Sequence, residues 1–139
     1  MPPDEEMLDE YIDCAGKRRP FRLTLYAEGL FLQAIEIRDG EPVGLRFVLP
    51  VRDGEIPPWG EMRKRIRERL AERHIVRDEA GRLHILRDLI RGQLTESEDG
   101  VTPSLLVDDL VLTWEELGEL LMPCVGFGLR IEVHEVGGE

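Results

Sequence analysis

A capped helix with a forced end is the feature that most constrains the fold of this chain. Thr113 precedes an apolar stripe, and Glu116 lies three residues later, which is the spacing of a capping box. Pro123 lacks an amide hydrogen and disfavours helical geometry in the residue before it, so the helix must end there. The sequence therefore predicts a helix over residues 114–122, with Trp114 as a core anchor rather than a ligand-stacking platform.

Beyond this helix the apolar period changes to that of a strand. Leu129, Ile131 and Val133 point one way if the segment is extended, and the polar residues between them point the other way. This alternation predicts a strand over residues 129–133. We expect its apolar face to be buried against the preceding helix.

The start of the chain carries apolar residues at helical spacing. Met7, Leu8, Tyr11 and Ile12 are separated by acids, and Gly16 would end the helix. The pattern predicts a short N-terminal helix within residues 4–15.

Three strands in an antiparallel meander are predicted next. Residues 21–27 and 43–49 alternate between apolar and polar side chains, and residues 30–38 are apolar enough for a central strand buried on both faces. Turn signals at positions 28–29 and 39–40 separate the three strands.

A second helix and two hairpins follow the meander. The helix is predicted over residues 58–74, with Pro58 in its first turn. The hairpins are predicted at 75–86 and 104–112, and segment 87–95 fits either a strand or an irregular stretch. Strands that run consecutively before the helix favour an α+β fold with a mostly antiparallel sheet. The chain length is that of a single domain over residues 1–139.

The acidic composition restricts the partners. A net charge of −11 disfavours nucleic acid and acidic membrane surfaces, because their phosphates would be repelled. No apolar run approaches the roughly 20 residues that span a bilayer. The acidic first residues also lack the features of a signal peptide, so we expect a cytoplasmic protein.

Residues suited to catalysis or metal binding are few and scattered. The histidines and cysteines show none of the short spacings of local metal motifs, and neither serine lies in a nucleophile elbow. We therefore expect no cofactor, no metal site and no catalytic motif. Convergence of these side chains in space stays open, and the residues concerned are His74, His84, His134, Cys14 and Cys124.

An uneven charge distribution on the second helix is the strongest functional signal. Six basic and three acidic side chains lie within residues 61–74. At helical spacing the acids fall on one flank, and four cationic or ionisable residues fall on the other without an acid beside them within the helix. The four predicted docking residues for an anionic partner are Arg63, Lys64, Arg67 and His74. The alternative is a solvated face whose cations pair with acids elsewhere.

The closing part of the chain resembles a small group of uncharacterised bacterial domains of unknown function. The similarity is carried by Leu106-Val107-Asp108-Asp109, Thr113-Trp114-Glu115-Glu116-Leu117-Gly118, Leu121-Met122, Gly126-Phe127 and Leu129 to Val133. It covers roughly the last quarter of the chain, and extends more loosely to the meander and the basic helix. The resemblance implies a bacterial cytosolic protein and assigns no reaction.

Two hypotheses of function follow from the sequence. The first is a non-enzymatic module that binds another protein or self-associates, favoured by the uneven basic helix and the sheet edges. The second is a small-molecule-binding or enzymatic domain with a pocket between sheet and helices. Cys124 or two histidines lining one cavity would favour the second hypothesis.

Overall fold

The computed structural model of the protein describes residues 5–26 and 30–136. Within these residues nine strands form three antiparallel sheets, and two α-helices accompany them. The predicted α+β class is therefore confirmed. The chain divides into two compact units, one within residues 1–71 and 133–139 and the other within residues 72–132. The single domain over residues 1–139 stays a prediction.

The first unit is built on a four-stranded sheet with the order β1-β2-β3-β4. Apolar side chains at every second position of the strands form the core of this unit, and Phe21, Leu23 and Leu32 are fully buried. The strands are β1 (Glu5–Ile12), β2 (Arg18–Tyr26), β3 (Phe31–Glu36) and β4 (Arg46–Pro50).

The predicted N-terminal helix is wrong, because this segment is strand β1. It pairs with β2 along its whole length, from Glu5 opposite Leu25 to Ile12 opposite Arg18. The ladder supplies backbone partners that a helix of marginal length could not secure alone. Gly16 does not end a helix; it lies in the β1–β2 turn with φ +79°, a conformation that glycine adopts without steric cost.

The predicted meander is confirmed as strands β2, β3 and β4, which pair in consecutive antiparallel order. The turn at positions 39–40 is present, with φ values of +52° at Asp39 and +80° at Gly40. The predicted turn at positions 28–29 lies outside the described residues. Strand β3 lies between β2 and β4, but it is not buried on both faces, since Phe31 is 48% exposed.

Helix α1 (Trp59–Ala71) follows β4 and packs against β3 and β4. Its buried residues Met62, Ile66 and Leu70 recur every four positions and form one stripe. The amide of Met62 donates to the carbonyl of Pro58 at 3.0 Å, which places the proline at the start of the helix as predicted. The predicted end at residue 74 is wrong, because the helix stops at Ala71.

The second unit consists of short strands and one helix. The predicted hairpins are confirmed, and the undecided segment 87–95 contributes strand β7 at its end. The elements are β5 (Ile75–Arg77), β6 (Leu83–Ile85), β7 (Gln93–Thr95), β8 (Ser104–Val107), β9 (Leu110–Leu112) and α2 (Trp114–Leu121). Strands β5 and β6 form one sheet, and the other has the order β7-β8-β9.

Helix α2 begins with the predicted capping box. The Glu116 amide donates to the Thr113 hydroxyl at 3.1 Å, and the Thr113 amide donates to the Glu116 carboxylate at 3.0 Å. The buried residue of the helix is Leu120, which joins the core of this unit. Trp114 is not the predicted core anchor, since it is 52% exposed. Among the helices of residues 5–26 and 30–136, none has the length and apolar character needed to cross a membrane.

The predicted C-terminal strand is wrong for the described structure. Residues 128–135 follow a 3-10 turn (Met122–Cys124), and they have neither helical nor strand assignment. Their alternating apolar side chains are exposed rather than buried against α2. A strand pattern fixes which side chains share a face, but a strand forms only where a neighbouring edge accepts its hydrogen bonds.

Candidate functional site

The predicted docking residues lie in different environments. Arg63 already has an acidic partner within the chain, because its Nε donates to the Asp9 carboxylate at 2.9 Å, and its role in docking stays a prediction. The Tyr11 hydroxyl donates to the same carboxylate at 2.7 Å. Burial raises the pKa of Tyr11, and its hydrogen bond to Asp9 raises the pKa further. Arg63 therefore ties helix α1 to strand β1.

The other helical members of the predicted group remain on the surface. Lys64 lies 3.9 Å from Glu68 within the same helix, which differs from the expectation that no acid lies beside it. Both side chains are more than half exposed, so this pair contributes little to stability. Arg67 is exposed and forms no ion pair with any residue that the structure describes. Its role in docking stays a prediction.

His74 lies beyond the end of α1 and is 7% exposed. The Asp108 carboxylate accepts from Nδ1 at 2.8 Å and from the His74 amide at 2.9 Å. On the other side of the ring, Nε2 lies 3.2 Å from the Glu72 carboxylate, which also binds Arg91 at 3.0 Å. His74 is therefore buried between two carboxylates of the second unit and does not lie on a stripe of helix α1, and its role in docking stays a prediction.

A buried ionic network in the first unit was not anticipated from the sequence. Arg19 is 1% exposed, and its guanidinium donates to Glu36 through Nε and through Nη2, the latter at 2.9 Å. Its Nη1 donates to Asp13 at 3.0 Å. The two-residue period of a strand could have revealed the network. Arg19 lies two positions before Phe21 in β2, and Glu36 lies four positions after Leu32 in β3, so each shares the buried face of its strand.

The network shifts the titration of both carboxyl groups. Burial raises the pKa of Glu36, but hydrogen bonds from Arg19 and the Leu45 amide outweigh it and hold the pKa below its ordinary value. Burial acts in the same direction on Asp13, where hydrogen bonds from the Lys17 amide and Arg19 again hold the pKa down. Both groups are therefore ionised and held by hydrogen bonds, as a structural ion cluster requires.

Metal-binding side chains do not converge in the described part of the chain. No set of three or more His, Cys, Asp or Glu side chains within residues 5–26 and 30–136 is placed to hold a metal ion. An open concavity of about 500 Å³ lies over the loop that follows β7. It is lined by Leu94, Thr95, Glu96, Ser97, Gly100, Val101, Thr102 and Pro103, none of which is a histidine or cysteine.

The most unusual surface is the segment of residues 125–133, which we call the apolar segment. Five large apolar side chains recur at every second position, and each is between 70% and 77% exposed. They are Val125, Phe127, Leu129, Ile131 and Val133. Such an arrangement is rare on a soluble monomer.

Most of the backbone of the apolar segment has no hydrogen-bond partner among the described residues. The amide of Phe127 still donates to the carbonyl of Cys124 at 2.8 Å, as part of the turn that follows α2. Residues 128–133 make no backbone hydrogen bond with any other residue that the structure describes. Extended backbone with free donors and acceptors can add to the edge of a sheet, as in peptide recognition by strand addition.

Charge on the apolar segment is balanced. Arg130 and Glu132 are its charged residues, and their side chains form an ion pair at 2.5 Å. The segment therefore has no net charge, although the chain as a whole carries −11. A partner surface would meet it without the repulsion that the rest of the chain imposes on anions.

Comparison with known proteins gives one match. The family model of a domain of unknown function (DUF7713) matches residues 74–136, a little under half of the chain. This match confirms the resemblance to an uncharacterised domain family. The matched range begins at His74 and extends through the whole apolar segment. No curated protein and no solved structure matches the chain.

Proposed function

We propose that the chain is a non-enzymatic protein-interaction module that binds its partner by strand addition through the apolar segment. One observation carries this proposal: five alternating apolar side chains are about three-quarters exposed, beside backbone groups of residues 128–133 that have no partner among the described residues. A strand that covered this face would bury the side chains and pair the free backbone groups at the same time. The family match includes the segment, which supports treating it as part of the domain.

The alternative of a small-molecule or enzymatic site has less support. His74 is only 7% exposed, with Asp108 bound to Nδ1 and Glu72 3.2 Å from Nε2, so its ring has little room to meet a substrate. Pairs of histidines do not line the described concavity over residues 94–103, and Cys124 is not among its lining residues. These contacts favour the interaction module over the second hypothesis.

A partner-capture experiment separates the apolar segment from the basic helix. Ile131→Asp places a charge in the middle of the apolar face, and we expect it to abolish capture of the partner from an extract of the native cell. Ile56→Asp is the matched control, since Ile56 is 88% exposed in a loop of the other unit. Capture that survives Ile131→Asp refutes the proposal.

The basic helix is tested in the same experiment with Lys64→Glu and Arg67→Glu. These positions are preferable to Arg63, whose reversal would also break the contact with Asp9. Loss of capture in the helix variants, with capture intact in Ile131→Asp, would assign docking to the helix instead. Hydrogen exchange gives a second readout, because strand addition should protect the amides of residues 128–133 only in the complex.

A further inference from the structure

The apolar segment follows a sheet edge and a helix in the chain. Strand β9 has β8 on one side and no strand on the other within the described residues. Helix α2 comes next and packs against β8 and β9. Residues 113–124 then separate β9 from the segment, which is the dozen residues that a parallel crossover needs. Within one chain this connection would suit a strand parallel to β9, and a second copy can place its segment at the same edge.

In the described structure, both strand β9 and the apolar segment have an edge without a strand partner. The β9 edge is unoccupied by any described strand, and residues 128–133 have no backbone partner there. We propose that the apolar segment of one copy pairs with strand β9 of a second copy, and that the exchange is reciprocal. This inference rests on the proposed function, because it names the partner of the same segment.

A second copy is favoured because each chain carries both complementary parts. Two copies can satisfy both edges and both segments at once, which gives a closed dimer with twofold symmetry. A foreign partner would satisfy the segment and leave β9 open. The β9 sequence Leu-Val-Leu carries no charge, and the segment has none in net, so the two surfaces meet without repulsion.

The apolar surface is large enough to hold such a dimer. Five side chains at about three-quarters exposure offer roughly 400 Å², taking about 100 Å² per side chain. The backbone of the segment and the β9 edge, where Val111 is 49% exposed, add to this on each copy. The sum approaches the roughly 800 Å² per partner of a stable interface, so we expect a dimer that dissociates on dilution.

Light scattering of the full chain after size exclusion tests the dimer. We expect the wild-type mass to rise from monomer to dimer with concentration. Ile131→Asp should raise the dimer dissociation constant about hundredfold, since it removes one buried side chain from each of two strand pairs. Ile56→Asp should leave the constant unchanged, and far-UV circular dichroism checks that both variants are folded. A monomer at the highest soluble concentration overturns the inference.

Cysteine cross-linking tests which edge is used. In a Cys14→Ser, Cys124→Ser background, Val111→Cys is combined with Leu129→Cys or with Ile131→Cys. We expect oxidation of at least one combination to give a disulfide-linked dimer. A bond formed within one chain would show that the segment returns to its own β9, and would refute both the dimer and strand addition to a partner. A monomer that still captures another protein through Ile131 would refute only the choice of a second copy.

Discussion

The buried Arg19 guanidinium gives a direct test of how the first sheet is held together. Arg19→Met keeps a long side chain but removes the charge that faces Glu36 and Asp13. Asp13 would then lose its arginine partner, and Glu36 would keep only Arg38, whose Nε lies 3.4 Å from it. Removing one partner of a buried ion pair costs about 3–5 kcal/mol, because the remaining charge is uncompensated. We expect a loss of this size in the free energy of unfolding of the first unit.

An exposed arginine on the same strand provides the control. Arg18 lies 3.4 Å from Glu10, and the two side chains are 79% and 56% exposed. Arg18→Met should therefore cost no more than about 1 kcal/mol. Equal losses in Arg18→Met and Arg19→Met would refute the argument that burial makes the difference.

Urea denaturation measures both variants. The chain has two tryptophans, and Trp114→Phe leaves Trp59 of helix α1 as the reporter of the first unit. With a slope of about 1–3 kcal/mol per molar urea, a loss of 3 kcal/mol or more lowers the midpoint by at least about 1 M. A midpoint that falls by only a few tenths molar in Arg19→Met would contradict the expected magnitude.

The pH dependence gives an independent check with a defined sign. The folded pKa values of Asp13 and Glu36 lie below their ordinary values of 3.8 and 4.5. Stability from these groups is therefore fully present above the ordinary values and is lost as pH falls through the folded values. In Arg19→Met the carboxylates lack the Arg19 guanidinium, so the difference from wild type should shrink in acid as they become neutral. A difference that is constant from neutral pH to acid would contradict this.

Three further predictions concern stability, measured by thermal unfolding with circular dichroism. Thr113→Ala should cost about 1 kcal/mol by removing the helix cap, and a Thr113→Ser variant that lost as much would contradict the role of the hydroxyl. Gly44→Ala should lower the free energy of unfolding by about 1–3 kcal/mol, because the new Cβ would lie 2.5 Å from the Cβ of Glu36. Gly60→Ala is the control: its new Cβ would meet no atom within 4 Å, so the substitution should be neutral or stabilising. Leu120→Ala should cost about 2–5 kcal/mol, and a loss below 1 kcal/mol would show that Leu120 is not a core residue of the second unit.

Local signals predicted the elements that local contacts stabilise. The capping box at Thr113 and the turn at positions 39–40 have partners within a few residues, so the sequence alone specifies them. The N-terminal segment was wrongly predicted, because its apolar spacing fits a helix and a strand about equally well. Its state is decided by the β2 ladder, whose partners lie up to 20 residues away, from Glu5 to Leu25.

The candidate site could be predicted only in part for the same reason. Because the helix ends at Ala71 instead of residue 74, His74 does not share a helical face with the other predicted docking residues, and a three-residue error in a boundary decides this. The exposure of the apolar segment could not be predicted from the sequence. Alternation of apolar and polar residues shows which side chains share a face, but it does not show whether another element packs against that face. Arg19 and Glu36 were missed because charged residues are rarely fully buried, although their strand parity points inward.

The contact between His74 and Asp108 has a consequence for how the second unit folds. Strands β5, β6 and β9 have three residues each, and hairpins of this size are unstable alone. The Asp108 carboxylate binds the amides of His74 and Ile75 across a separation of 34 and 33 residues, which joins the turn of one hairpin to the start of the other. Closing that loop costs conformational entropy before the contacts that compensate for it have formed. We therefore expect the two hairpins to form together in one slow cooperative step. Their backbone amides should then exchange with solvent as one group.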